Sequence, residues 1–402
     1  MGLNNNEIRL DFPFFSQNPN LVYFDNAATT QKPQCVIDAI NDYYSSYNAN
    51  VHRGVYTIAE KATYEFESSR EYIAKFIGAE RKENLIITSG ATGSINLVAH
   101  GWAKHNLKTG DHILITQMEH HSNIVPWQII ANDIGIKIDY IPINNNNELD
   151  LSNLDKLITS KTKLVSIVHQ SNVLGVVNDI KRIIDAAHQK DAVVLVDGAQ
   201  SIVHQRIDVK ELDCDFFVFS GHKIYGPTGV GILYAKENCL QKMKPFMGGG
   251  EMIDLVTEQE FTPNRPPWKF EAGTPAIAQV VALKKAIQYI NNLGIENISK
   301  YEQSLTSYTY DQLNQIEGMN IYSPKNNIGP VITFNIKGVH SYDLTKILDE
   351  MKIAIRSGHH CAQPLMRRMG ISSSNRISLS LYNTSLEIDF FIDSLNKALT
   401  IL

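Results

Sequence analysis

Five short apolar runs, at residues 84–88, 112–116, 164–168, 192–197 and 215–220, punctuate the middle of this 402-residue chain. Each is apolar at nearly every position instead of alternating with polar residues, the pattern of a strand covered on both faces. Longer amphipathic stretches lie between them, such as Ile180-Lys181-Arg182-Ile183-Ile184-Asp185-Ala186-Ala187-His188. That alternation predicts an α/β fold with a mostly parallel, doubly wound sheet. Ligands of such sheets bind outside the carboxyl ends of the strands, so functional residues are expected just after each run. Past about residue 275 the pattern changes: a helical stretch over 276–292 stops at Leu293-Gly294, with glycine the natural terminator. A second set of elements follows, its clearest strand at 331–336. The expectation is a large domain over 21–290 and a smaller C-terminal α/β domain over 291–402, joined by residues 1–20.

Length agrees, since roughly 150 residues per domain gives two to three domains. At 43% hydrophobic and 20% charged residues, such a chain buries a large core without disulfides or metals. A net charge of −5 disfavours a dedicated nucleic-acid binder, which needs a basic stripe. No apolar run approaches the roughly 18 residues of a membrane span. The first residues, Met1-Gly2-Leu3-Asn4-Asn5-Asn6, carry no signal-peptide or myristoylation pattern, and the chain reads as cytoplasmic. Its four cysteines, Cys35, Cys214, Cys239 and Cys361, form no C-x-x-C pair, so neither a disulfide framework nor a zinc ribbon is indicated. The run Asn144 to Asn147 reads as a solvated loop, and no internal repeat is found.

Four strand ends carry chemistry-bearing residues. Ser89-Gly90-Ala91-Thr92-Gly93-Ser94 is small enough for backbone amides to approach an anion at a helix start. It matches neither the P-loop nor the dinucleotide fingerprint, and alone reads as a tight turn. In Gln117-Met118-Glu119-His120-His121-Ser122-Asn123 the histidines suit a polar surface or a ring stacked on a planar ligand. A metal ranks below both, because no further ligands stand at zinc-like spacing. Asp197 and Lys223 close two neighbouring runs. Charges at such positions are expensive to bury unpartnered, so they form either a core-edge ion pair or two contacts to one cofactor. A desolvated lysine is a better amine nucleophile, and an aspartate suits a protonated ring nitrogen. An aldehyde-binding lysine, a ring-nitrogen aspartate, a phosphate cradle and a stacking ring are together what pyridoxal phosphate requires.

The last motif is Arg356-Ser357-Gly358-His359-His360-Cys361-Ala362-Gln363-Pro364. A thiol in a cationic, Gly- and Pro-containing loop suits a nucleophile, because nearby positive charge favours thiolate. A metal site would need ligands from elsewhere. The other three cysteines sit in helix-like or strand-flanking positions and are expected to be packing.

With these motifs the sequence resembles the class V aminotransferase-like, fold-type I pyridoxal-phosphate enzymes, and among them the SufS-type (group II) cysteine desulfurases. The resemblance runs from Tyr23-Phe24-Asp25-Asn26-Ala27-Ala28 and Val51-His52-Arg53-Gly54 to Arg376-Ile377-Ser378-Leu379-Ser380 and Tyr382-Asn383-Thr384. Its most specific pieces are Ser220-Gly221-His222-Lys223, Glu271-Ala272-Gly273-Thr274-Pro275 and Arg356 to Cys361. It implies that Lys223 carries the pyridoxal 5'-phosphate cofactor, Asp197 pairs with its ring nitrogen, Gln200 bonds the ring oxygen and His120 stacks on the ring. Thr92 with the backbone at Ala91, Ser220 and His222 would hold the phosphate, and Thr274 would reach the phosphate of a second subunit, making a homodimer part of the site. Arg376 and Asn172 would bind the carboxylate of L-cysteine. Cys361 would take its sulfur in a pocket lined by Arg356, His52 and His359, for passage to an acceptor protein in iron–sulfur cluster assembly. Gly93 stands where relatives often carry Glu, removing a carboxylate. Tyr342 stands where relatives served by the zinc-containing SufU tend to carry His, which points to a SufE-like acceptor. Selenocysteine lyase is the alternative activity implied; a chemically inactive scaffold and an aminotransferase rank lower.

Overall fold

The structure, a computed structural model, describes residues 5–402. Residues 1–4, part of the expected N-terminal junction, lie outside the described residues. Seven strands build the large sheet: β1 (Leu85–Thr88), β2 (His112–Thr116), β3 (Lys137–Ile141), β4 (Thr162–Val168), β5 (Val193–Asp197), β6 (Phe216–Ser220) and β7 (Gly231–Ala235). Their order is β1-β7-β6-β5-β4-β2-β3. All neighbours are parallel except β7, which runs antiparallel between β1 and β6. The sheet is mostly parallel, as the apolar runs predict. Two strands stand outside the five runs: β3, an edge strand with the polar residues Lys137 and Asp139, and β7, which follows the Lys223 segment closely.

Continuous apolar runs are explained by where successive side chains go. Val194 and Val196 face one core with Phe217 and Phe219, whereas Leu195, Phe216 and Val218 face the other. Period-two alternation therefore puts every second residue into a different apolar layer. One layer is closed by the helices Gln34–Ser46 and Thr57–Phe76 and by two later ones. The other is closed by α1 (Ala91–Val98) and α2 (Val125–Ile134). Helix α3 (Ile180–His188) has the predicted bounds and begins on Asp179, whose side chain accepts from the Arg182 amide. Helix α4 (Ile277–Leu293) stops at Gly294, at φ +81°, and the same glycine opens α5 (Ile295–Leu313).

The C-terminal sheet comprises β8 (Met319–Ile321), β9 (Val331–Ile336), β10 (Arg356–Gly358) and β11 (Ser374–Ser378), in the order β8-β9-β11-β10. It is antiparallel throughout and is packed by α5 and by α6 (Ser385–Leu399). The N-terminal segment ties to this side: Val22–Tyr23 pairs with Ile353–Ala354, and Arg9 bonds the Tyr382 carbonyl and the Glu387 carboxylate. Cys214 and Cys239 are buried packing residues, but Cys35 is exposed on the outer face of its helix, which corrects the expectation for that cysteine. Among the described residues no helix is long and apolar enough to cross a membrane.

Gly231 opens β7 against the turn before α1, where a Cβ would lie 2.3 Å from the Gly90 Cα. Gly231→Ala is expected to lower stability by roughly 1–3 kcal/mol, read as a shifted urea midpoint at unchanged slope. Gly248→Ala, where a Cβ meets nothing, should leave the midpoint in place.

Candidate active site

The carboxyl ends of β1, β2, β4, β5 and β6 meet at a cavity of about 220 Å³. It gathers Ala91 and Thr92 after β1, His120 after β2, Asn172 after β4, Asp197 and Gln200 from β5, and Ser220, His222 and Lys223 from β6. The small sheet closes it with Arg356 on β10, Cys361 in the following loop and Arg376 on β11. Twelve residues singled out in the sequence, from seven separate segments, thus share one pocket.

At its floor lie Asp197 and Lys223. Strands β5 and β6 are parallel neighbours, with Asp197 in register with Val218, so both chains turn out of the sheet at the same edge. Burial raises the Asp197 pKa, with the Lys223 charge and the Ala199 amide, 2.9 Å from Oδ1, opposing it. Burial draws Lys223 down to about 8, with Asp197 opposing and Arg376 and Arg356 assisting. The amine is therefore available as a nucleophile near neutral pH.

The anion cradle sits at the start of α1. Gly90 precedes it at φ +151°, a conformation reserved for glycine, and the Ala91 amide donates to Ser220 Oγ at 2.8 Å. Thr92 Oγ1 and Ser122 Oγ are 2.6 Å apart. Helix-terminal amides with hydroxyls form a site for a phosphate-like group. Burial, then Lys223, pushes His222 down to about 4 and His120 to about 3, so both rings are neutral. The Ser122 amide donates to His120 Nδ1 at 3.1 Å, which leaves the proton on Nε2. The turn carrying His120 rests on buried Glu119, which accepts from Thr116, Asn123 and the Val168 amide. Gln200 donates Nε2 to the Ala27 carbonyl.

Opposite this cradle, Arg376 is buried and donates to the Asn172 carbonyl at 3.0 Å and to Asp25 at 2.6 Å. Arg356 faces it directly across the β10–β11 ladder. Asn172 donates Nδ2 to the His360 carbonyl, while its buried Oδ1 has no partner. Arg356 Nη2 stands 4.0 Å from Cys361 Sγ. His360 and Cys361 both hold left-handed backbone, at φ +51° and +56°, a conformation disfavoured for side-chain-bearing residues. The His121 amide donates to the Cys361 carbonyl at 2.7 Å, and His121 Nε2 accepts from the Gln363 amide. His121 thus pins the thiol loop.

Three expected residues lie elsewhere in this chain. His52 is held between Glu251, at 2.8 Å, and Glu67, at 3.1 Å. Burial lowers its pKa, but the two carboxylates outweigh that and raise it. His359 is exposed, and the neighbouring His360 lines the cavity instead, its Nε2 against Ser374. Thr274 is exposed and lines a separate cavity together with Gly93, so the missing carboxylate at Gly93 concerns that cavity. Reasoning from sequence missed His360, Ser122, Ala27 and Ala28, which also line the central pocket. All four stand inside motifs quoted above: Ala27 and Ala28 in the run from Tyr23, Ser122 two residues after His120, and His360 beside Cys361. Among the described residues no group of three metal-ligating side chains occurs.

The sequence matches the family described as Aminotransferase class-V over residues 22–391. It is 48% identical over 398 residues to a probable cysteine desulfurase of Halalkalibacterium halodurans, covering 98% of both chains. The fold superposes on the cysteine desulfurase CsdA of Escherichia coli with a TM-score of 0.94 at 37% identity, covering 100% of this chain and 99% of that one. It superposes on the apo cysteine desulfurase of Thermococcus onnurineus with a TM-score of 0.95 at 38% identity, covering 99% and 98%.

The cavity's electrostatics predict how Lys223 titrates. Acylation of Lys223 in the ligand-free protein, followed peptide by peptide in a mass spectrometer, should rise with a midpoint near pH 8, not near the ordinary value of about 10.4. Asp197→Asn removes the charge that favours the ammonium, so the midpoint should move lower still.

Proposed function

The chain belongs to the aminotransferase class-V family, and from that premise we propose that it works as a cysteine desulfurase. In this reading it converts L-cysteine to L-alanine, holds the sulfur as a persulfide on Cys361 and passes it to an acceptor protein for iron–sulfur cluster assembly. The observation that carries the reading is one cavity lined by an amine, a buried carboxyl group, two guanidinium groups and a thiol. The relatives above bear the cysteine desulfurase name, and nothing in the cavity favours selenocysteine lyase over it.

Pyridoxal 5'-phosphate is the cofactor, and the residues present fit it. Lys223 would hold its aldehyde carbon, Asp197 its ring nitrogen and Gln200 its ring oxygen. The start of α1, with Thr92, Ser220 and His222, would hold its phosphate, and the neutral His120 ring offers a stacking face. The buried Oδ1 of Asn172 has no hydrogen-bond partner, which leaves a polar atom at the cavity for an occupant to satisfy. When bound, the cofactor supplies an aldehyde that captures amines and a ring that withdraws electrons.

The chain's own groups then do the following. Arg376, with Asn172, would bind the substrate carboxylate and hold the substrate in the cavity that Lys223 lines. Asp197 keeps a proton at the ring nitrogen. Lys223 Nζ, once freed, takes a proton from Cα and later returns one to the carbon skeleton. Arg356 places a cation beside Cys361 Sγ as it attacks the substrate sulfur. An S–S bond forms while the Cβ–S bond breaks; the bonding pair stays with carbon and is protonated, giving alanine. The persulfide leaves by exchange with an acceptor thiol.

Further parts of the reading rest on position. The unit carrying the large sheet, 21–290, would hold the cofactor, and 291–402 with the N-terminal segment would bring Arg356, Cys361 and Arg376. A homodimer is supported by the exposed apolar side chains Phe246 and Met247, which line the Thr274 cavity, with Thr274 reaching the partner's phosphate. We assign the chain to the SufS type with a SufE-like acceptor, because exposed Tyr342 offers no imidazole to a partner's zinc. It would work in the cytoplasm, where Cys361 stays reduced.

Addition of L-cysteine should add one sulfur to the Cys361 peptide in a mass spectrum. Cys361→Ala should stay yellow but lose alanine formation to background, whereas Lys223→Ala should lose the visible absorbance of lysine-bound cofactor. Retained cysteine turnover in Cys361→Ala would remove the thiol from the mechanism.

A further inference from the structure

The loop after β4 points alternate side chains into two different cavities: Asn172 into the one described above, and Gln170 into another of about 190 Å³. This second cavity lies between that loop, the His204-Gln205 turn after β5, helix α5 and the Asn327–Pro330 segment leading into β9. Gln170 is wholly buried and Glu302 is 1% exposed. Both amide atoms of Gln170, Nε2 of Gln205 and Oε1 of Glu302 are buried without a hydrogen-bond partner. Folded proteins pair nearly all such groups, and four orphans around one cavity call for an occupant. The other Glu302 oxygen is taken, 2.7 Å from His204 Nδ1.

The cavity is also shaped to hold Gln170 where it is. A Cβ on Gly329 would stand 2.1 Å from Gln170 Nε2, so only glycine lets the amide lie there. Val177, Ile328 and Pro330 add a small apolar wall, and Gln303 and Asn327 at the mouth are exposed.

We propose that this cavity binds a small zwitterion of the α-amino acid class. The two unused acceptors, Glu302 Oε1 and Gln170 Oε1, take an ammonium group, and the two unused donors, Gln170 Nε2 and Gln205 Nε2, take a carboxylate. No lysine or arginine lines the cavity, so a phosphate or a dicarboxylate would meet Glu302 without a strong cation in return. A bare metal cation would leave both amide donors unpaired. Val177, Ile328 and Pro330 give a small side chain an apolar wall within a cavity of about 190 Å³.

L-Alanine is the probe, and two measurements decide. The first is calorimetric titration of holoenzyme whose Lys223–cofactor link has been reduced with borohydride, which blocks covalent capture in the central cavity and needs no turnover. Saturable binding is expected, weakened roughly tenfold or more in Gln170→Leu and in Glu302→Gln. Gly329→Ala, which displaces the Gln170 amide, should weaken it likewise. The second is a crystal of wild-type holoenzyme soaked in L-alanine, with the ammonium expected against Glu302 Oε1. Absence of saturable binding, equal binding by folded variants, or a soaked crystal showing only water or glycerol here would overturn the proposal. If the variants fail to fold, the wild-type crystal decides alone.

Discussion

A carboxyl group and an amine at the ends of adjacent parallel strands hold the site together. Asp197 is 4% exposed, and burial disfavours its ionised form just as it disfavours the ammonium of Lys223. Each lessens the other's penalty through the field across the cavity without forming an ion pair, so removing either charge moves the other group's titration further in the direction burial already drives it. The arrangement needs the parallel order of β5 and β6, because antiparallel neighbours would send the two chain exits to opposite edges of the sheet. The parallel order of these apolar strands and the meeting of Asp197 with Lys223 at one cavity are therefore one requirement, not two.

The small sheet contributes a second electrostatic conflict. Arg356 and Arg376 stand directly opposite each other on β10 and β11, where like charges are destabilising. Asp25, brought in by the N-terminal segment, neutralises Arg376 in part, and Arg356 turns towards the Cys361 sulfur. Burial, opposed by Asp25, lowers the Arg376 pKa. A pair of guanidinium groups held at this cost is suited to an anionic substrate group. With the left-handed backbone at His360 and Cys361, the small sheet brings to the cavity its two guanidinium groups and its thiol, and the large sheet brings its amine, its buried carboxyl group and its helix-terminal amides.

Legibility followed burial. The runs ending at Thr88, Thr116, Val168, Asp197 and Ser220 read as strands because both faces are covered; β3 escaped because an edge strand tolerates Lys137 and Asp139. Lys223, Asp197, His120, Arg376 and Cys361 could be singled out because each places costly chemistry at an element's end. Between His359 and His360 the sequence offered no choice, since a left-handed turn, not a local preference, decides which ring enters the cavity. Cys35 looked like packing because helical spacing does not say which face the neighbouring helix α4 covers. Gln170 carries no signal in the sequence, for a glutamine becomes unusual only when the fold buries it without a partner.

By itself, the chain's order of residues determined the layers, the parallel core and the set of reactive groups, because hydrophobic periodicity and the expense of buried charge act locally. Tertiary structure alone decided which of those groups meet. Thr92, His120, Asn172, Asp197, Lys223, Cys361 and Arg376 lie far apart in the chain, and only strand order and ladder register bring them to one cavity. The same long-range register sends Thr274 and His52 to other neighbourhoods of this chain. No local rule carries that information, because register is fixed by the packing of whole sheets against their helices.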